Sequence, residues 1–167
     1  MATITLAKGT ANRVATADIY KKPEGTVYFT VDLVDAAASK GSALATGDVI
    51  QAIGVPGNSY VSKCFTKVTE LADVTTLNFD VGFAGDADLF VDGGGMTSGT
   101  GSAGEFSTNH QSAAVTGTLS TLTSTYDTID VTLMTFSGTV PTTGQLTIFA
   151  SIVDLTAQAG SNIADVQ

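Results

Sequence analysis

The 167 residues carry few charges, 14% against about a quarter in ordinary soluble domains, and a formal net charge of −9. That length suits one domain with an ordinary hydrophobic core. The single Cys64 excludes an internal disulfide, and one histidine with one cysteine excludes a conventional zinc centre.

The charge is distributed unevenly. Residues 1–67 hold all seven bases and five acids, whereas residues 68–167 hold eleven acids and no base. Such a surface disfavours nucleic acid and anionic membranes as partners. One reading is a device for solubility. The sharper one is a basic N-terminal arm, residues 1–25, whose Lys8, Arg13, Lys21 and Lys22 dock on an acidic partner surface. Met1–Lys8 shows no basic segment leading into an apolar run, and no stretch approaches the ~20 apolar residues of a membrane helix. The expectation is synthesis in a cytoplasm without export.

From residue 26 onward the chain reads as strands. In Thr26–Asp35, Val27, Phe29, Val31 and Leu33 fall on one face at period two. Val34–Ala45 is Ala-rich, but Ser39 and Gly41 interrupt it, so no helix of useful length is expected. Asp48–Val55 and Ser59–Glu70 read as two strands joined through Pro56-Gly57-Asn58 into a hairpin. Leu77, Phe79, Val81 and Phe83 alternate again, and a short strand around Leu89–Val91 ends at Gly93-Gly94-Gly95. Asp92 to about Ser112 is rich in Gly and Ser and reads as a long loop, either functional, mobile or covered by a neighbour. Ala113–Leu122 and Thr128–Phe136 follow as strands, Ile129, Val131 and Leu133 of the second sharing a face. Ser137–Gly144 is a turn, and Gln145–Leu155 is the last strand. Its two faces are both partly apolar, Leu146, Ile148, Ala150 and Ile152 against Phe149, Val153 and Leu155. A sheet with one wet face does not look like this. Either a loop covers a central strand here, or the outer face meets another subunit. Together the strands predict an all-β, antiparallel sandwich spanning residues 26–167, jelly-roll-like, with residues 1–25 as an extended arm.

No catalytic constellation emerges, and the chain is expected not to be an enzyme and to need no cofactor. His110 is the lone histidine, in the glycine-rich passage, with no G-x-S-x-G elbow to serve. Cys64, at even spacing with Tyr60 and Val68, reads as a buried inert thiol, with Lys63 and Lys67 on the other face. The glycine clusters at 93–95 and 99–101 lack the Lys-Ser/Thr and the strand-to-helix setting of a phosphate loop. Asp86-x-Asp88-x-x-x-Asp92-Gly93, with Asp80, has the oxygen chemistry of a calcium loop. It departs from the EF-hand spacing, with Phe90 at a ligand position and no closing Glu, and otherwise reads as a polar turn. A calcium-assisted carbohydrate-binding module is one rival reading, although such sites usually present Trp or Tyr platforms and the chain has no Trp.

Three passages carry a resemblance: Leu77–Asp92 (LNFDVGFAGDADLFVD); Tyr126–Leu155, with its Asp-x-Ile-Asp-Val-Thr-Leu strand and Ser-Gly-Thr-Val-Pro-Thr-Thr-Gly turn; and Gly47–Val68, where Gly-Asp-Val-Ile leads to a Pro-Gly turn. In strand-and-turn texture, over roughly residues 45–155, the chain resembles small virion structural proteins of tailed bacteriophages. The resemblance implies a capsid decoration (cement) protein on the outside of the virion. It would bind the major capsid protein as a homo-oligomer, a trimer over the threefold positions. It further implies that Asp86–Asp92 is a turn and that no activity carries over. A tail-, neck- or fibre-associated subunit is the alternative within the virion.

Overall fold

The computed structural model describes residues 1–5, 24–57, 59–104, 106–107, 122–123 and 125–154. Lys8, Arg13, Lys21, Lys22, His110, Leu155 and most of the expected strand at 113–122 lie outside the described residues.

The strands are β1 (Thr3–Thr5), β2 (Glu24–Asp32), β3 (Val49–Val55), β4 (Ser59–Glu70), β5 (Thr76–Phe83), β6 (Asp86–Gly95), β7 (Phe106–Ser107), β8 (Leu122–Thr123), β9 (Asp127–Ser137) and β10 (Gln145–Asp154). Among the described residues one helix, α1 (Leu33–Lys40), follows β2. One sheet has the order β1-β3-β9-β5-β6. The other has the order β2-β10-β4-β7, with β8 also on β4. The protein is an all-β sandwich. Val27, Val31, Cys64, Val68, Ile148 and Ile152 of one sheet meet Ile50, Val55, Leu77, Phe79, Val131 and Leu133 of the other in a single core. Burying a side chain of this size contributes about 1.5–3 kcal/mol, and these residues are the alternating apolar sets of their strands.

Among the described residues every pairing is antiparallel except β1 with β3, which is parallel. The first residues of the expected arm are thus sheet. Ile4 is buried in the core, and the Ala2 N–H reaches the Asp48 carboxylate at 2.9 Å.

Three local expectations need correction. The first concerns β3 and β4, which are not a hairpin. β3 pairs with β1 and β9, whereas β4 pairs with β10, β7 and β8 in the other sheet. Pro56-Gly57 therefore begins a crossing between sheets. Alternation tells which face of a strand is buried, and both strands bury a face, but it does not name the hydrogen-bonded neighbour.

A second correction is α1. Asp32 caps it, its carboxylate accepting from Val34 N–H at 2.8 Å and Asp35 N–H at 3.3 Å, and Gly41 closes it in a left-handed conformation, φ 74°. Leu33, Ala36 and Ala37, at helical spacing, face the core. Gly41 ends the helix rather than preventing it.

The third is the glycine-rich passage. β6 continues through Gly93, Gly94 and Gly95, and the turn of the β5–β6 hairpin is Ala84-Gly85. Gly94 lies under the Phe79 ring, where a Cβ would sit 2.5 Å from Cζ, and the Thr100 carbonyl crosses Gly95 where a Cβ would be. These glycines permit close approach within a strand. From Met96 to Gly104 the backbone is tied down: Met96 N–H donates to Leu77 C=O, Ala72 N–H to Met96 C=O, and Gly104 N–H to Val68 C=O, while residues 105 and 108–112 of the expected loop lie outside the described residues.

Candidate interaction surfaces

Asp80, Asp86, Asp88 and Asp92 all belong to the β5–β6 hairpin. The segment Asp86–Asp92 is strand, where a turn was expected. Asp80 lies between the core residues Phe79 and Val81 and so projects from the other side of its strand, where its carboxylate accepts from Gly93 N–H at 2.8 Å. Burial pushes its pKa up, Gly93 N–H opposes this, and the charges of Asp92 and Asp88 raise it further. Asp86 and Asp88, two apart on one strand, share a hydrogen bond that raises the pKa of Asp86, with burial and the Asp88 charge adding to it. Among the described residues no three acidic, His or Cys side chains are grouped to hold a metal ion.

On β9, Ile129, Val131 and Leu133 enter the core, so Thr128, Asp130 and Thr132 face outward. Asp130 is nevertheless enclosed, flanked across the ladder by Gln51 and Gly82. Burial pushes its pKa up to about 6, the Thr128 hydroxyl donating at 2.6 Å works the other way, and Asp127 adds repulsion. The outward side of β9 is therefore polar but buried, and the exposed acids of this sheet are Asp86, Asp88 and Asp92 on β6.

Asp48, preceding β3, plays a structural part. It accepts from Ala2 N–H, Ala45 N–H at 2.8 Å and the Lys40 ammonium, its ion-pair partner. Burial alone would raise its pKa; the Lys40 hydrogen bond and the two N–H groups outweigh that and hold it below the usual carboxylate range.

The outside of the β2-β10-β4-β7 sheet is different. Tyr28, Phe149, Phe65 and Phe106, one from each strand, form a continuous row of rings. Successive centroids are 6.1, 4.9 and 6.0 Å apart, the central Phe65–Phe149 pair being stacked. Tyr28 is 53% and Phe106 58% exposed. The Lys67 ammonium lies 5.2 Å from the Phe106 ring centre, a cation–π contact. Lys63 projects from the same strand into solvent. β10 does occupy the central position that its two apolar faces suggested, and Phe149 belongs to this outer row.

Cys64 is buried, and burial raises its thiol pKa to about 12. It faces the core with Val68, whereas Tyr60 does not share its face. A register shift opposite Ser151/Ile152 puts Val61 and Cys64 on one side, and Lys63 and Lys67 stand on the other as expected.

No protein-family model and no curated protein matches the chain. The fold is shared with chains from two phage capsids. A chain of the cyanophage Pam1 capsid asymmetric unit matches with TM-score 0.56 and 17% identity, over 78% of this chain and 84% of that one. A chain of the capsid of Ralstonia phage GP4 matches with TM-score 0.52 and 18% identity, over 91% and 97%. At such identities the likeness concerns the fold, and residue roles come from this chain's own geometry.

That geometry contains a surface the sequence reading did not assemble. Each ring of the row sits at the off-core position of its strand, and only Phe149 was legible there, because its strand is apolar on both faces. Tyr28 lies among threonines, and Phe106 falls in the passage read as a loop. The four meet only once the order β2-β10-β4-β7 is known.

Proposed function

We propose that this chain is a structural protein of a bacteriophage virion, non-catalytic, of the capsid decoration (cement) type. On this reading it sits on the capsid surface, binds the major capsid protein and forms a homo-oligomer, a trimer at threefold positions. The observation that carries the reading is the likeness in fold to chains from two phage capsids, over most of this chain and of each of theirs.

The strand order supports a jelly-roll description. Setting aside β1 and β8, the pairs β2/β10, β3/β9, β4/β7 and β5/β6 are nested, as if one long hairpin had been wrapped so that alternate pairs fall in opposite sheets. A lattice-bound protein gains from avidity, since several modest contacts act together. The basic residues Lys8, Arg13, Lys21 and Lys22 suit an acidic capsid surface.

The test is the number of copies per particle in density-purified virions, by quantitative mass spectrometry. Hundreds support decoration, a handful would move the protein to the tail, neck or fibre, and none would overturn the virion reading. Changing Lys8, Arg13, Lys21 and Lys22 together to Gln, rather than deleting 1–25, leaves β1 and the Ala2–Asp48 contact intact. This variant is expected to keep its melting temperature and to bind purified heads at least tenfold more weakly. Unchanged binding would remove the arm from the reading.

A further inference from the structure

We propose that the ring-and-lysine outer face of the β2-β10-β4-β7 sheet receives a second copy of this chain, head to tail, against the exposed acids of β6 in that copy's other sheet. The inference rests on the homo-oligomer of the proposed function and names its two faces.

The row Tyr28–Phe149–Phe65–Phe106 crosses all four strands, with its two ends more than half exposed. Aromatic side chains of this kind dominate interface energetics because they bury much apolar area with few rotatable bonds. Charge then selects the occupant. Of the three bases among the described residues, Lys40 is held by Asp48, and the other two, Lys63 and Lys67, flank the rings. The opposite sheet exposes Asp86, Asp88 and Asp92 along β6, whereas Asp80 and Asp130 behind them are buried. One molecule thus carries both halves of a complementary pair on opposite sides.

Symmetry follows from the same charges. Face-to-face docking of two ring rows about a twofold axis would set the lysines of one copy against those of the other. Head-to-tail docking sets lysine against aspartate. Such heterologous contacts generate rings when the rotation closes, as a trimer requires.

Sedimentation equilibrium of the full chain tests this, with circular dichroism and melting as controls for folding. Wild type is expected to be an oligomer at micromolar concentration and to dissociate as salt rises. K63E/K67E and, separately, Y28S/F106S should each weaken association about tenfold or more with melting unchanged, since these side chains lie outside the core. Mixing K63E/K67E with D88K/D92K should restore association between the two variants. A monomeric wild type, or variants as oligomeric as wild type, would overturn the inference. A monomer whose Y28S/F106S variant loses head binding would assign the face to a capsid subunit, overturning the second-copy occupant while leaving the virion reading intact. Conversely, an oligomer absent from virions would leave the contact standing and remove the function.

Discussion

Asp48, just before β3, and Asp130, on β9, are both enclosed carboxylates, and their surroundings drive them in opposite directions. Asp48 has a cation and two N–H donors, and its pKa is lowered from 3.8. It therefore adds stability above that pH, and the contribution is lost as pH falls through its lower folded value. Asp48→Asn should cost about 2–3 kcal/mol at pH 7, less than for a fully buried pair because Lys40 retains some access to water. Asp130 has only the Thr128 hydroxyl to set against burial and Asp127, and its pKa rises from 3.8 to about 6. Its favourable contribution is complete below 3.8 and is lost as pH rises through about 6. Asp130→Asn should therefore raise stability by roughly 1–2 kcal/mol at pH 7.5 and by little at pH 4. Chemical denaturation of the three proteins across that range checks both signs. Cys64 gives a simpler test: with its thiol buried and its pKa at about 12, it should resist alkylation in the native protein and react once denaturant is added.

At the scale of elements, what could be read in advance was the inward face of each strand. Leu77, Phe79, Val81 and Phe83, like Ile129, Val131 and Leu133, are in the core where their alternation put them. Partners were not legible, because a strand of either sheet shows the same alternation; hence β3 and β4 read as a hairpin. The helix was missed because eight residues give too short a periodic signal, and its evidence lay in the caps Asp32 and Gly41. Three successive glycines suggest a turn to any propensity argument. In β6 they answer instead to the Phe79 ring and the Thr100 backbone. Gly95→Ala should thus force backbone apart and cost about 2–3 kcal/mol. Gly99→Ala, with nothing within 4 Å of the added methyl, should be near neutral, and urea unfolding of the pair distinguishes close approach from mere turn chemistry. The acidic residues of the hairpin were found by spacing, but spacing could not show Asp80 bound to Gly93 and Asp86 bound to Asp88. The basic residues at 8, 13, 21 and 22 lie outside the described residues, so their reading stands on charge alone.

For the molecule as a whole, the nested strand order turns an uneven sequence into a two-sided object. Residues 68–167, which hold no base, supply all of β5, β6 and β9, and with β6 the exposed acids. β4 carries Lys63 and Lys67 to the other sheet, beside rings drawn from residues as far apart as Tyr28 and Phe149. Salt should therefore act on folding and on assembly with opposite signs. Within one copy, a net charge of −9 and crowded pairs such as Asp86/Asp88 repel, and screening relieves that repulsion. Between copies, lysine-to-aspartate attraction is what screening removes. Raising NaCl from about 10 to 300 mM, over which the Debye length falls from about 30 Å to well under 10 Å, should stabilise a monomeric K63E/K67E variant by about 1 kcal/mol, a rise of about 3 °C in melting temperature. Over the same range wild-type oligomer should dissociate. If both quantities rose together, apolar ring packing rather than charge would be holding the copies, and the head-to-tail arrangement would lose its selecting force.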